Sequence, residues 1–93
     1  MQNLIQLKVM SKSASVTIYS APWCAFCHMA KNYLASKKVA FKDIDVEKDQ
    51  KAAHDIFVKT GQAGIPVIEI GEAIIIGFDR PHIDSALEQY NLL

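Results

Sequence analysis

The spacing of two strand-like runs near the end of the chain restricts the fold more than any other feature of the sequence. Pro66 to Ile70 and Ala73 to Ile76 are rich in β-branched residues, and only Gly71-Glu72 separates them. A two-residue connection allows an antiparallel hairpin and excludes a parallel pair, which needs a crossover of about a dozen residues. The sequence therefore predicts a hairpin in the second half of the chain.

The first half of the chain shows strands that alternate with helices. Val16 to Tyr19 and Val39 to Val46 are β-rich runs, and apolar residues recur at helical spacing from Ala25 to about Lys37 between them. Because a helical crossover joins the two strands, they are expected to lie parallel. This half therefore predicts a βαβ unit.

A second helix is predicted after this unit. It is expected to begin at Glu47 and to end at Lys59, just before Gly61. Residues four apart on its surface have opposite charges, and the expected ion pairs are Glu47 with Lys51 and Asp55 with Lys59.

A third helix is predicted after the hairpin. Asp79 is a suitable N-cap, Pro81 suits the first turn, and an apolar stripe follows at Ile83, Ala86, Leu87 and Tyr90. The complete order is βαβαββα. It predicts an α/β fold in which three helices flank a mixed four-stranded sheet.

The chain length of 93 residues corresponds to one domain, which we expect to comprise residues 14–93. Ile5, Leu7 and Val9 alternate with polar residues, but the serine-rich stretch that follows interrupts the pattern. Residues 1–13 are therefore predicted to form a short N-terminal appendage, with Met10 as an alternative start.

Charge and hydropathy exclude several classes of partner. Ten basic residues balance ten acidic ones, so no net field favours nucleic acid. The longest strong apolar run, Ala73 to Ile76, is too short to span a bilayer, and the first twelve residues lack the pattern of a secretory signal. We expect a cytoplasmic monomer that binds neither nucleic acid nor a membrane.

Cys24 and Cys27 lie between the first predicted strand and the first predicted helix. A C-x-x-C sequence in this position is typical of a redox pair. The amide groups at a helix N-terminus stabilise an anion, so Cys24 is expected to favour the thiolate and to attack a disulfide. Cys27, about one turn later, is placed to attack the resulting mixed disulfide. Lys31 lies on roughly the same face and adds positive charge.

Other interpretations of this segment remain open. The cysteines could be inert core residues, and Cys24-x-x-Cys27-His28 also matches the attachment pattern of c-type haem. Trp23 and Phe26 could be exposed edges of the core or residues that dock a substrate. Neither His54 nor His82 has a second ligand at metal-site spacing, so no metal is expected.

Taken together, these motifs show that residues 14–89 resemble the glutaredoxin family of the thioredoxin fold. Pro22 and the aromatic-containing C-x-x-C follow the first strand, and Ile44-Asp45-Val46 occupies the second. The segment from Thr60 to Pro66 keeps the family spacing from a Thr-Gly helix stop to a Thr-Val-Pro motif whose proline is cis. The resemblance implies a thiol-disulfide oxidoreductase with Cys24 as nucleophile and Cys27 as resolving thiol.

The resemblance also implies where a substrate binds. The backbone of Ile65, before a cis Pro66, is expected to pair with an extended substrate chain beside Cys24. The site is further expected to include Gly77, Phe78 and Asp79 at the start of the third helix, where the family binds glutathione. The substrates implied are disulfide-containing proteins or glutathione-mixed disulfides.

The resemblance does not identify a single electron donor. Ala21 stands where many members have a lysine, and Gly64 replaces the threonine of Thr-Val-Pro. The stretch from Gly77 to Pro81 partly resembles the ribonucleotide-reductase redoxins, which thioredoxin reductase reduces. We expect no tightly bound cofactor, with glutathione or thioredoxin reductase as donor. A dimer around an iron–sulfur cluster is the family's alternative.

Overall fold

A computed structural model describes residues 14–93 of the protein. The predicted order βαβαββα is confirmed: the elements are β1 (Val16–Ser20), α1 (Ala25–Ser36), β2 (Lys42–Asp45), α2 (Gln50–Thr60), β3 (Val67–Ile70), β4 (Ala73–Ile76) and α3 (Arg80–Gln89). The predicted appendage, residues 1–13, lies outside the described residues. In the part of the chain from 14 to 93, no helix has the length and apolar character needed to cross a membrane.

The four strands form one sheet in the order β2-β1-β3-β4. β1 pairs with β2 in parallel, so that Ile18 lies opposite Asp43, and pairs with β3 antiparallel, so that Ile18 also lies opposite Ile68. β3 and β4 form the antiparallel hairpin. The predicted mixed sheet is therefore confirmed. Its central strand ends at Ser20, directly before the C-x-x-C segment.

One face of the sheet carries the main core, which α1 and α3 cover. Ile18, Leu34, Ile68, Ile83 and Leu87 are fully buried there. Burial of a side chain of this size stabilises a fold by about 1.5–3 kcal/mol relative to an exposed position. This packing fixes α1 against the central strand and thereby fixes the first turn of α1.

The opposite face of the sheet carries α2. There Tyr19 Oη donates a hydrogen bond of 3.0 Å to Glu69 Oε1, and Lys59 Nζ of α2 lies 2.8 Å from Glu69 Oε2. Burial and the neighbouring Glu69 carboxylate raise the pKa of Tyr19 to about 12, so the phenol remains a hydrogen-bond donor at neutral pH.

The predicted start of the second helix and its ion pairs were wrong. Asp49, not Glu47, lies at the N-cap of α2, where its side chain accepts a hydrogen bond from Ala52 N. Because Glu47 lies in the turn before the helix, it cannot pair with Lys51 along a helix face. Lys51 instead binds Asp55 at 3.0 Å, while Lys59 binds Glu69 across to the sheet.

The second strand is shorter than predicted from Val39 to Val46. Val39 N donates to Leu34 O at 3.0 Å, so this residue closes the end of α1. Lys38 has φ 60°, in the left-handed region, which turns the chain before β2 begins at Lys42. Val39 is buried because it packs under the helix end.

An aromatic cluster joins α1 to the start of α3. Tyr33 Oη donates to Asp84 Oδ1 at 2.5 Å, and the Tyr33 ring meets the Phe78 ring edge-on at 5.8 Å. The Arg80 guanidinium lies 4.8 Å from the centre of the same Tyr33 ring. These contacts hold the loop before α3 close to α1.

Candidate active site

Cys24 occupies the N-cap position of α1. Its backbone is extended, with φ −91° and ψ 109°, and its Sγ accepts a hydrogen bond of 3.2 Å from Cys27 N. A backbone hydrogen bond from Cys24 N to Ala21 O, 3.1 Å long, closes the turn that leads from β1 into the helix. The sulfur therefore lies at the positive end of the helix dipole, in the position that favours an anion.

Cys27 lies one turn deeper and has no exposed surface, whereas Cys24 is 7% exposed. Burial raises the pKa of Cys27 to about 12, and its hydrogen bond with Cys24 acts in the same direction. A backbone hydrogen bond with Ala21 and the positive charge of Lys31 oppose this shift. Cys27 therefore stays protonated at neutral pH. Both residues are free thiols in the structure.

The predicted cis peptide bond is present between Ile65 and Pro66. Ile65 packs against the small buried cluster of Ala21, Cys24 and Cys27. The fold thus brings this loop, which is distant in sequence, to the two sulfurs. Pro66 is buried, and its carbonyl accepts a hydrogen bond of 2.8 Å from Gly77 N.

That hydrogen bond also connects the cis-proline loop to the segment that precedes α3. Phe78 packs on Tyr33, as described above, and is only partly exposed. Asp79 is the N-cap of α3, as predicted, with His82 N 3.4 Å from its Oδ1. Its Oδ2 lies 2.6 Å from His82 Nδ1, so the Asp79 carboxylate already has a partner.

Two aromatic side chains stand at the rim of the site. Trp23 is 68% exposed and Phe26 is 61% exposed, which is unusual for such large apolar groups. The Trp23 indole Nε1 donates a hydrogen bond to Glu47 Oε2, in the turn before α2. Glu47 was predicted on a helix surface, and this contact could not be foreseen because it depends on how α1 and the turn meet in space.

A polar network beside α1, of which only Ser20 is buried, was also missed. Ser20 Oγ donates to Asp43 Oδ1 at 2.6 Å, and Lys31 Nζ lies 2.9 Å from Asp43 Oδ2. Burial opposes ionisation of Asp43, but the hydrogen bonds from Ser20 and Lys31 outweigh it and hold the pKa of this carboxyl below its usual value. The one feature of the sequence that could have indicated this network is Ser20, a polar residue at the end of β1.

Within residues 14–93, no three or more His, Cys, Asp or Glu side chains are grouped so that they could hold a metal ion. The two thiols and their neighbours are the reactive groups that the structure places at this site. One sulfur lies at a helix start, near the surface, and the second lies protonated beneath it.

Comparison with known proteins agrees with this geometry. The glutaredoxin family model matches residues 16–75. A glutaredoxin-like 8.6 kDa protein from the rubredoxin operon of Clostridium pasteurianum is 39% identical over 74 residues, which are 80% of this chain and 99% of that protein. N-acetyl-S-hydroxy-L-cysteine reductase of Bacillus subtilis is 33% identical over 85 residues, 87% and 91% of the two chains.

Among solved structures, the glutaredoxin-like NrdH-redoxin of Escherichia coli superposes with a TM-score of 0.71 at 27% identity. The match covers 76% of this chain and 92% of that one. The thioredoxin-like fold is therefore confirmed. The alternatives of a c-type haem carrier and an iron–sulfur dimer gain no support from these matches.

The family match includes β1, both cysteines, α2 and the β-hairpin as far as Ile75. It thus spans the elements that position the two sulfurs. Glutaredoxins are thiol-disulfide oxidoreductases, and this protein is an enzyme of that kind. The chain belongs to the glutaredoxin family.

Proposed function

We propose that the protein reduces disulfides of protein substrates, and glutathione-mixed disulfides, through Cys24 and Cys27. The Cys24 thiolate attacks one substrate sulfur, a Cys24–substrate disulfide forms, and the other substrate sulfur leaves as a thiolate. Cys27 then loses its proton to solvent and attacks Cys24 Sγ. The second substrate thiolate leaves, and the two cysteines end as a disulfide, having given two electrons to the substrate.

The observation that carries this proposal is the difference between the two sulfurs. Cys24 Sγ accepts a hydrogen bond of 3.2 Å from the Cys27 amide, and Cys24 keeps a small exposed fraction, while Cys27 is fully buried and protonated. A nucleophile needs access to substrate and a place where an anion is favoured, and Cys24 lies at the start of α1. A resolving thiol needs only proximity to the first sulfur.

The surroundings of Cys24 suit an extended polypeptide. The Ile65 backbone precedes the cis bond beside the two sulfurs, where it can pair with a substrate strand. Trp23 and Phe26, which flank Cys24 in sequence, offer exposed aromatic surface. Gly77, Phe78 and Asp79 complete the proposed binding surface at the start of α3.

The donor side of the site is poorly equipped for glutathione, a tripeptide with two carboxylates. Ala21 is buried and carries no charge, and the Arg80 guanidinium is stacked on Tyr33. The Asp79 carboxylate, which could receive the glutathione amine, is paired with His82 at 2.6 Å. A missing charge-assisted hydrogen bond costs about 1.5–3 kcal/mol. We therefore propose a flavoprotein of the thioredoxin reductase class as the better donor, as the NrdH-redoxin resemblance implies.

The donor comparison tests this proposal. The protein is incubated with a protein disulfide and NADPH, and either thioredoxin reductase or glutathione with its reductase is added at matched concentrations. We expect at least roughly tenfold faster turnover with thioredoxin reductase, which corresponds to the loss of one such hydrogen bond. Faster turnover with glutathione would contradict the proposed donor, and no turnover with either donor would contradict the proposed reaction.

A second substrate class is favoured by the 33% identity to a relative named as N-acetyl-S-hydroxy-L-cysteine reductase. The same two thiols can reduce a sulfenic acid. Cys24 attacks the S-hydroxy sulfur, water leaves, and Cys27 resolves the mixed disulfide. Stoichiometric oxidation of the two cysteines by an S-hydroxycysteine derivative would support this reaction, and unchanged free thiol content would contradict it.

A further inference from the structure

The two edge strands of the sheet differ in charge. β2, at one edge, carries charged side chains at Lys42, Asp43 and Asp45. β4, at the other edge, has the sequence Ala-Ile-Ile-Ile, with no charged residue and no proline. Charges and prolines are features that prevent an exposed strand from pairing with another chain. β4 therefore lacks the protection that β2 has.

The free backbone groups of β4 belong to Ile74 and Ile76. Gly77 N donates to Pro66 O at 2.8 Å, and the register of β3 with β4 is regular from that pair onward. In an antiparallel ladder, hydrogen-bonded pairs alternate with pairs that are not hydrogen-bonded. Ile75 therefore directs its backbone groups toward β3, as Gly77 does, while Ile74 and Ile76 direct theirs away from the sheet. In the described part of the chain, β4 pairs with β3 alone.

The side chains of Ile74 and Ile76 add apolar surface to this edge. They lie on the face that carries α2, because Ile74 is opposite Glu69 in the hairpin and Glu69 binds Lys59 of α2. Ile74 is 41% exposed and Ile76 is 48% exposed, whereas Ile75 points to the other face and is buried in the main core. Exposed β-branched residues on an uncharged edge are typical of a surface that pairs with another strand.

The other face of this edge forms a groove of about 400 Å³ between β4 and α3. The groove is lined by Ala73 to Ile76, Asp79, His82, Ser85, Ala86 and Gln89. The side chains of Ser85, Ala86 and Gln89 are small or uncharged. The carboxylate of Asp79 lies 2.6 Å from His82 Nδ1. The groove therefore presents no unpaired charge of its lining residues to a second helix.

We propose that β4 pairs with β4 of a second copy of this chain, antiparallel, about a two-fold axis at Ile75. In this register Ile74 of each copy lies opposite Ile76 of the other, and each pair exchanges both of its backbone hydrogen bonds. The isoleucine side chains of both copies then meet on the α2 face. The two sheets become one continuous sheet.

The edge is complementary to itself in this register. A shift of the axis by one residue, to Ile74, would place Glu72 opposite Ile76, so the apolar side chains match best about Ile75. Ten basic and ten acidic residues leave the chain without a net charge that would keep two copies apart. A second copy therefore supplies both the hydrogen bonds and the apolar contacts that the edge lacks.

The α3 helices of the two copies also meet in this arrangement. α3 packs on β3 and β4, and neighbouring strands lie about 4.8 Å apart. The two helices therefore come within about 10 Å of each other, which is close to the usual distance between packed helices. They run antiparallel, so the N-terminus of each helix lies beside the C-terminus of the other, as the helix dipoles favour. Each helix closes the groove of the other copy.

The interface is small and predicts a reversible dimer. Nine residues line the groove and edge of each copy, whereas a standard interface has about 20–30 residues on each side. We therefore expect a dissociation constant between about 10 µM and 1 mM. The monomer expected from the sequence is then the state at low concentration. β3 and β1 separate this edge from Cys24, so the inference does not depend on the two-thiol function.

Sedimentation velocity of the reduced full-length chain tests the proposal between about 5 µM and 1 mM, a range that includes the expected dissociation constant. A reductant keeps Cys24 and Cys27 from joining two chains. We expect the wild-type protein to change from monomer to dimer over this range. Ile74→Lys places a charge on the edge and is expected to weaken association at least about tenfold. Its rate of disulfide reduction per chain is expected to equal that of wild type.

A double variant tests the register. Ile76→Glu alone is expected to weaken association as Ile74→Lys does. In the chain with both substitutions, each introduced lysine faces an introduced glutamate of the other copy. We expect this chain to associate about threefold or more tightly than either single variant, because opposite charges in a cross-strand pair stabilise a sheet. If Ile74→Lys does not fold, as judged by thermal unfolding, Ile74→Glu with Ile76→Lys provides the reversed pair.

Phe57→Lys is the matched control. Phe57 is half exposed on α2 and shares a groove with Val46, which follows the opposite edge strand β2. Its association is expected to equal that of wild type. Equal loss of the dimer in Phe57→Lys would overturn the proposal, as would a dimer that folded Ile74→Lys leaves unchanged or a double variant that does not recover.

A wild-type chain that stays monomeric up to about 1 mM would also overturn the proposal. It would leave another occupant for the edge, such as residues 1–13 of the same chain. A chain that dimerises as expected but does not reduce disulfides would contradict the proposed function and support the proposed interface.

Discussion

Replacement of Cys24 by serine is expected to lower disulfide reduction by roughly three orders of magnitude or more, to the rate of the reaction without enzyme. The serine hydroxyl keeps the N-cap geometry and can still accept the Cys27 amide, but it does not ionise at neutral pH and cannot form a disulfide. Cys27 cannot substitute for it, because its sulfur is fully buried and its pKa is raised to about 12. The measurement is the rate of thiol release from a protein disulfide.

Phe57→Ala offers a matched control for this variant, because Phe57 is half exposed on α2 and has no part in the proposed reaction. Its rate is expected to equal that of wild type. Residual activity of more than a few per cent in Cys24→Ser, with the fold intact by circular dichroism, would show that Cys27 or another group attacks the substrate.

The Cys27→Ser variant is expected to show the second largest effect, of a different kind. Cys24 keeps its place at the N-cap, so it should attack a protein disulfide and release one substrate thiol per protein molecule. Without a resolving thiol the mixed disulfide persists, and steady turnover in the absence of glutathione should fall by roughly two orders of magnitude. The single burst is measured by rapid mixing, and the persistent adduct by intact-protein mass.

Glutathione is the control reagent for this experiment. Added glutathione should release the trapped substrate by attacking Cys24 Sγ in place of Cys27, and the burst should then become slow turnover. Full steady turnover of Cys27→Ser without any added thiol would contradict the resolving role of Cys27.

Local patterns were sufficient to predict most of the fold. The two residues between β3 and β4 allow only a hairpin, and the helix between β1 and β2 allows only a parallel crossover, so the mixed sheet follows from connection lengths alone. The N-cap at Asp79 was also predictable, since a cap depends on residues that are close in sequence.

The start of α2 and its ion pairs were predicted wrongly because neighbouring residues of similar type compete for the same role. Glu47 and Asp49 are both acceptable near a helix start. The Asp45 side chain accepts a hydrogen bond of 2.8 Å from Glu47 N and holds a turn there, so the helix begins after Asp49. Lys59 forms its ion pair with Glu69 of β3 and not with Asp55, because α2 packs on the face of the sheet that carries Glu69. Neither preference is visible in a helical pattern.

The same distinction holds within the candidate site. The adjacency of Cys24 and Cys27 follows from helical spacing, so it could be predicted from the sequence. The contact of Lys31 with Asp43 requires the register of β2 against β1 and the position of α1 on the sheet, which only the packed core determines. For that reason Lys31 could be placed from the sequence on the helix face of the cysteines, but its partner Asp43 could not.

Cys24 is expected to be the reactive sulfur and Cys27 the protected one. Brief reaction of the reduced wild-type protein with less than one equivalent of iodoacetamide at neutral pH, followed by acid quenching, digestion and peptide mass spectrometry, tests it directly. We expect essentially all label on Cys24, and we expect Cys27 to react only as the pH rises far into the alkaline range, because its pKa is about 12. Label found mainly on Cys27, or divided equally between the two residues at neutral pH, would contradict it.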